Sequence, residues 1–300
     1  MKNEHYSVLL NESIDALNIK PDGIYVDLTL GMGGHSEQIL KRLTTGKLYA
    51  FDKDEFALEQ AGIRLSKVSD RYELIKSDFK EIKSELAKRN IYQVDGIIAD
   101  LGISSPQVDN SERGFSYNKD ARLDMRMDQT QQFSAYEVVN GYELTQLEKI
   151  LINYADVKLA YRVAKAICDS RPIETTMELV EIIKSCYPAK MLRAKNPAKA
   201  VFQAIRIEVN NELESLKQML NDALSLLKTQ ATLAIITFHS IEDKIVKNFY
   251  ANISRNDIPS KMPIMIQDKY FVKQIKPSKV ELEENKRSRS AKLRIVRRLF

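Results

Sequence analysis

The chain has 300 residues, 44% of them hydrophobic, with a net charge of +5. That is room for one large domain or two ordinary ones with a core that needs no staples, and it excludes a disordered whole. The cysteines, Cys168 and Cys186, and the histidines, His5, His35 and His239, show no ligand spacing and argue against a structural metal. No apolar run nears the ~18 residues of a membrane span, and the first residues lack the apolar stretch of a secretory signal. A cytoplasmic protein is expected.

In chain order, the first hundred residues alternate short apolar runs with helical patterns. Strands are predicted at Ile24–Leu30, Lys47–Phe51, Tyr72–Ile75 and Val94–Ala99, with helices at Ser36–Arg42, Glu55–Ser66 and Phe79–Asn90. Such alternation implies parallel βαβ units with right-handed crossovers. It stops after the fourth strand, at a charged loop running from Val108 to Thr130. Only helical periodicity follows, over Tyr136–Asn140, Leu147–Tyr154, Leu159–Ser170 and Glu178–Cys186. A long helix is predicted from near Pro197, with a bend or break within its apolar series Phe202, Ile205, Val209, Leu213, Leu216, Leu220 and Leu224. The strand pattern returns at Thr232–Phe238, then a helix at Glu242–Tyr250 and strands at Tyr270–Ile275 and Leu293–Arg298. Lys279–Arg289 reads as a charged loop. One doubly wound α/β domain, interrupted by roughly a hundred helical residues, accounts for the order.

The stretch Gly31-Met32-Gly33-Gly34-His35-Ser36 joins the first strand to its helix. The dinucleotide fingerprint G-x-G-x-x-G requires glycine where Ser36 stands, and a Walker A site would need a lysine. The glycines still let a ligand approach the backbone. Asp52 ends the second strand, 21 residues after Gly31. A carboxylate there suits the two hydroxyls of a ribose. Phe79 ends the third strand, where an adenine can lie against it. Asp100, with the turn from Gly102 to Gln107, ends the fourth. Together these strand ends favour S-adenosylmethionine over a nicotinamide dinucleotide.

His239 ends the fifth predicted strand, and Ser240 with Asp243 matches a helix capping box in outline. The final sixteen residues, Asn285 to Phe300, hold seven basic residues and no acidic one, which reads either as a solvated face or as a footprint for phosphate backbone.

These motifs, with HYSVLL at His5–Leu10, ERGFSY, RLDMRMD, FQAIRIEVNNEL, FHSIEDKIVK and RSRSAKLR, occur in order along nearly the whole chain. In this the sequence resembles the RsmH (MraW) family of bacterial methyltransferases. The resemblance implies a Rossmann-like methyltransferase domain of residues 1–106 and 212–300 around a helical insertion, 107–211, that binds substrate. It implies transfer of a methyl group from S-adenosylmethionine to N4 of a cytidine, at position 1402, in the decoding centre of 16S ribosomal RNA, within the small ribosomal subunit. Carried over by motif, Gly33, Gly34, His35, Asp52, Phe79, Asp100 and Gln107 would contact the cofactor. A homodimer is among the expected assemblies. Where family members read Y-G-E-E, this chain has Tyr154-Ala155-Asp156-Val157.

For the chemistry, Asp100 is the first candidate to accept a hydrogen bond from the amine and so localise its lone pair, with a purely structural or cofactor-holding role equally open and the backbone carbonyls of Gly102–Pro106 able to substitute. His239 is the second candidate to touch the base. Arg113, Phe115, Tyr117, Arg122 and Arg126 are expected to line a cleft for the extruded nucleotide. A nicotinamide-dependent oxidoreductase and a ribosome assembly factor that binds S-adenosylmethionine without essential catalysis are the competing readings.

Overall fold

In a computed structural model, which describes residues 7–254 and 268–300, the apolar runs become strands of one sheet. They are β1 (Ile24–Asp27), β2 (Lys47–Asp52), β3 (Tyr72–Lys76), β4 (Val94–Asp100), β5 (Leu227–Thr237), β6 (Tyr270–Ile275) and β7 (Lys292–Arg298). Among the described residues the order is β3-β2-β1-β4-β5-β7-β6. The first five strands run parallel; β7 lies antiparallel to both β5 and β6. The central strands are buried on both faces, which is why they read as unbroken apolar runs.

Alternate residues of each strand serve opposite layers. Val26, Phe51, Ile97 and Ile235 pack with Ile82, Leu86, Leu216, Leu220, Val246 and Tyr250. Tyr25, Ala50, Ile98 and Ile236 pack on the other face with Ile14, Leu17, Ile39 and Leu65. Helices therefore cover both faces, as in a doubly wound α/β fold. No described helix is long and apolar enough to cross a membrane.

By its internal contacts the chain divides into two units, 1–102 with 214–300, and 103–213. The second is helical and has its own core, in which Leu147, Leu151, Val163, Ile167, Ile183 and Ile205 are buried. Its helices include Ala135–Gly141, Leu144–Ala155, Ala160–Asp169, Thr176–Ser185, Ala189–Ala194 and Ala198–Asn210. The long helix expected from Pro197 is two helices, broken where Asn211 turns left-handed (φ 51°) before Glu212–Leu226. Asp156 likewise ends its helix left-handed (φ 46°), and Val157 turns into the core.

Two local expectations are corrected and one helix is added. The stretch 279–289 is a helix, Lys279–Glu284, followed by a 3-10 turn, because Ser278 accepts a hydrogen bond from Glu281 N and Asn285 one from Arg287 N. Phe79–Asn90 is a 3-10 turn capped by Asp78 and then a short helix, Ile82–Ala87. A helix at Leu10–Leu17, unforeseen in the sequence, packs Ile14 and Leu17 against the sheet.

The cations of the carboxyl-terminal strand are internal fixtures. Lys292 and Arg294 each lie 2.6 Å from the Asp243 carboxylate. Arg297 donates to Thr232 Oγ1, and Arg298 to the Leu227 carbonyl. These partners leave β7 a poor footprint for phosphates.

The loop of the helical unit meets a similar correction. Arg113 is buried and donates to the carbonyls of Arg126 and Met127. Arg126 forks onto Asp124 at 2.6 and 2.9 Å. Phe115 is in the core, Tyr117 meets the Phe202 ring edge-on at 6.0 Å, and Arg122 lies over the Tyr136 ring. These residues hold the loop's own shape rather than lining a cleft. The Asn210 amide completes that brace, donating to the Met125 carbonyl while its oxygen accepts from Met127 N.

Candidate active site

Strand connections run one way from β1 to β2 and β3, and the other way to β4 and β5. Ligands of open α/β sheets bind outside the carboxyl ends of the strands at such a reversal. Here β1 ends in Asp27, β2 in Asp52 and β4 in Asp100. Three carboxylates therefore converge on the switch point.

The turn after β1 is fixed from both sides. Leu28 N donates to the Ile98 carbonyl of β4 and Leu30 N to the Phe51 carbonyl of β2. The strand nonetheless stops at Asp27, three residues earlier than its apolar run suggests, where Thr29 N turns back to Asp27 Oδ1 and Asp100 N pairs with Thr29 Oγ1 instead of a β1 carbonyl. Gly31 (φ 48°) and Gly33 (φ 74°) then take left-handed conformations that glycine adopts without strain. At Gly34 a Cβ would stand 1.9 Å from Ser7 Oγ, so the amino-terminal segment lies directly against the turn.

Asp52 organises this turn from the next strand. Its Oδ2 accepts from Gly31 N and its Oδ1 from Asp54 N, both at 2.9 Å. Burial pushes its carboxyl up to about 6 despite those bonds. The strand-end acid and the glycine turn, paired in the sequence by spacing alone, are joined by a hydrogen bond.

The residue sequence reasoning missed is Asp27, 2% exposed. Its Oδ1 accepts from Thr29 N at 3.1 Å and its Oδ2 from Ser36 Oγ at 2.7 Å. Ser36, which breaks the dinucleotide fingerprint, thus ties its helix to the strand end. An acid ending the first strand just before a glycine turn was the available signal. Burial raises Asp27 to about 6.

Asp100 lies across from it. Its backbone N donates to Thr29 Oγ1, and Oδ2 stands 3.9 Å from His35 Nδ1. Its Oδ1 and His35 Nε2 are buried and lack a hydrogen-bond partner among the described residues. Burial, then the Asp27 and Glu242 charges, push the Asp100 carboxyl well above the usual range. Burial lowers His35 to about 4, so the ring is neutral at pH 7.

Phe79 follows β3 and packs partly buried against the core beside it. Asp78, just before it, is held by Lys53 and Ser215 Oγ, each at 3.1 Å. Gln107 belongs to the helical unit, buried, with its Oε1 accepting from Ser104 N in a capping box.

His239 caps the helix Ser240–Ile253, so the box is His239 with Glu242 rather than Ser240 with Asp243. Glu242, 2% exposed, accepts from Phe238 N and His239 N. His239 Nε2 is 2.9 Å from Glu242 Oε1, and Nδ1 faces Glu242 N at 3.4 Å. Both ring nitrogens thus face its own helix.

The buried acids give a pH dependence. Asp27 rises from 3.8 to about 6, so between those values the folded state holds a proton that the unfolded chain has lost. Its contribution to stability is full below 3.8 and is lost as pH rises to about 6. His35 falls from 6.5 to about 4 and slopes the opposite way over nearly the same window. Asp27→Asn is therefore expected to make the slope of stability against pH more positive by up to one proton between pH 4 and 6. Urea melts at pH 4.5, 5.5 and 6.5 check this, and parallel slopes for variant and wild type would refute it.

The residues present fit a donor of the S-adenosyl class. The glycine turn offers backbone but no phosphate-gripping lysine, the acidic rim suits a cation, and two buried polar atoms are without partners. Such a donor, when bound, supplies a methyl group on a positive sulfur.

Known proteins resemble this chain over its whole length. "Ribosomal RNA small subunit methyltransferase H" of Mycoplasmopsis agalactiae is 61% identical over 300 residues, covering 100% of both chains. Its namesake in Mycoplasmopsis synoviae is 59% identical, covering 100% of this chain and 99% of that one. That of Clostridioides difficile is 49% identical over 311 residues, covering 100% of both. With its residues 2–299 matched by the model of that family, the chain belongs to the MraW methylase family.

Proposed function

We propose that this protein transfers the methyl group of S-adenosylmethionine to ribosomal RNA of the small subunit, at the exocyclic N4 amine of a cytidine in the decoding centre of the 16S molecule. The observation that carries the reading is the carboxyl edge of β1, β2 and β4, where a left-handed glycine turn is hydrogen-bonded to Asp52 and two further acids face it.

Gly33, Gly34, His35, Asp52, Phe79, Asp100 and Gln107 are the residues proposed to hold the cofactor. Asp52 already positions the turn through Gly31 N and keeps an acceptor edge for ribose hydroxyls. A cation among the acids favours their ionised forms, reversing the effect of burial. Asp100, ionised, would accept hydrogen bonds from the cytosine amine, localise its lone pair and take up the proton the amine loses, while the bound donor would supply the methyl group and depart as a neutral thioether. Alignment of amine and methyl lowers the barrier by as much as ~7–11 kcal/mol in favourable cases. His239, whose Nδ1 accepts from Glu242 N, stays the second candidate to touch the base.

The helical unit 103–213 and the small-subunit setting belong to the same reading: a base in folded RNA has to leave its stack, and a second unit grips its neighbours. Calorimetry tests the cofactor assignment. S-adenosylmethionine is expected to bind and NAD not to, and Asp52→Ala to weaken S-adenosylmethionine at least about 10-fold, the worth of one charge-assisted hydrogen bond of ~1.5–3 kcal/mol. Equal binding of both nucleotides, or none of either, refutes it.

A further inference from the structure

Most exposed lysines in ion pairs here sit on helices, one turn from their acid. Lys41 meets Glu37, Lys88 Glu85, Lys165 Asp169, Lys184 Glu181 and Lys217 Glu214. A stretch of the helical unit departs from this habit. Residues 186–207 contain five cations and no acid. Arg206 is held by Glu212 at 2.7 and 2.8 Å. Lys190, Arg193, Lys195 and Lys199 are all exposed, and none forms an ion pair or side-chain hydrogen bond among the described residues.

Local structure gathers these charges. Lys190 and Arg193 are three apart on the helix Ala189–Ala194 and so share a face. Lys195 follows it, and Lys199 lies in the first turn of Ala198–Asn210, where the helix dipole adds positive potential. The start of this segment is tied to the helix Ala160–Asp169: Tyr187 Oη donates to the Lys158 carbonyl and Cys186 Sγ to the Arg162 carbonyl. On that helix the Arg162 side chain is exposed with no ion pair among the described residues, and the Tyr161 ring, its neighbour in sequence, is 55% exposed. Unpaired cations and an open aromatic ring on segments tied to one another are what a flexible polynucleotide needs: charge for its phosphates and a flat face for a base. An acidic protein surface would use the cations and leave Tyr161 without a role.

The geometry points to Lys190, Arg193, Lys195 and Lys199, with Tyr161 and Arg162, as the surface that holds the phosphate backbone of the substrate RNA, with one unstacked base on the tyrosine. This rests on the RNA substrate proposed above and gives the helical unit a defined contact. It also adds a basic footprint at residues 190–199 to the one read at 285–300, of which the four β7 cations are engaged within the protein while Lys286, Arg287 and Arg289 stay exposed.

The test is the salt dependence of binding to small-subunit RNA, read by fluorescence anisotropy from 50 to 300 mM salt. Each phosphate contact contributes about 0.7–0.9 to the slope of log affinity against log salt. Changing Lys190, Arg193, Lys195 and Lys199 together to Gln is expected to flatten that slope by about 3 and to weaken binding at low salt at least about 10-fold. The control, Lys41, Lys88, Lys184 and Lys217 all changed to Gln, leaves the slope within about 1 of wild type. Tyr161→Ala is expected to weaken binding about 5-fold or more without altering the slope, and Tyr161→Phe to restore it. Calorimetry with S-adenosylmethionine on the same variants reads as wild type. An unchanged slope in the first variant, or an equal change in the control, overturns the proposal. So does loss of binding to polyglutamate with RNA binding intact, which would assign the patch to an acidic protein. If wild type binds RNA but not S-adenosylmethionine, the proposed function fails while this surface stands.

Discussion

Asp100→Asn is expected to slow methyl transfer about 10²–10³-fold, within the range by which a positioned proton acceptor accelerates reactions. The amide keeps the size of the side chain but cannot take the amine's proton. The same change is expected to alter S-adenosylmethionine affinity less than about 5-fold, since Gly31 and Asp52 hold the turn independently of it. Single-turnover rates on small ribosomal subunits, beside calorimetric affinities, separate the two roles left open for this carboxylate. A loss confined to cofactor affinity would make Asp100 a holder of the donor, and wild-type turnover would remove it from the reaction. The acceptor role also predicts that the rate rises with pH, with a midpoint lower in the donor complex than the raised value of the free protein implies.

Asp243→Ala is expected to cost about 3–5 kcal/mol of stability, the toll of leaving a buried charge without its partner. Asp243 is 9% exposed and Arg294 8% exposed, with 2.6 Å between them and Lys292 at the same distance. Burial pushes the Asp243 carboxyl up, and the hydrogen bonds from Arg294 and Lys292 more than reverse it. Removing the carboxylate strands a guanidinium between the helix Ser240–Ile253 and β7. Replacing both, Asp243→Leu with Arg294→Met, is expected to recover most of the loss, because two apolar side chains of similar size need no pairing. Urea denaturation gives both numbers. A single variant within about 1 kcal/mol of wild type would show the pair to be dispensable.

The doubly wound core was legible because unbroken apolar runs and helical periodicity are written locally. Five of the strands predicted from apolar runs match observed ones within about two residues at each end, and the wide helical stretch appears where periodicity placed it. Strand ends were less legible. β1 stops early because Thr29 N turns to Asp27 Oδ1 and Asp100 N to Thr29 Oγ1, side-chain diversions with no trace in the apolar pattern. The site shows the same division. Asp52 announced itself by its distance from the glycines, whereas Asp27 is inconspicuous until Ser36 Oγ is seen to reach it. The loop arginines misled for a physical reason: a guanidinium serves carbonyl oxygens as readily as phosphates, and Arg113 is the former case.

The placement of β5 beside β4 has a consequence for synthesis on the ribosome. The two strands are hydrogen-bonded neighbours, yet about 125 residues separate them in the chain. At about 5–20 residues per second, a nascent chain carries β4 with one edge unclaimed for about 6–25 s. The helices translated in that interval have an apolar interior of their own and can condense as they emerge. The chain thus makes its fast-folding part while its slow sheet waits for its last central strand, and that wait is when a chaperone has most to offer it.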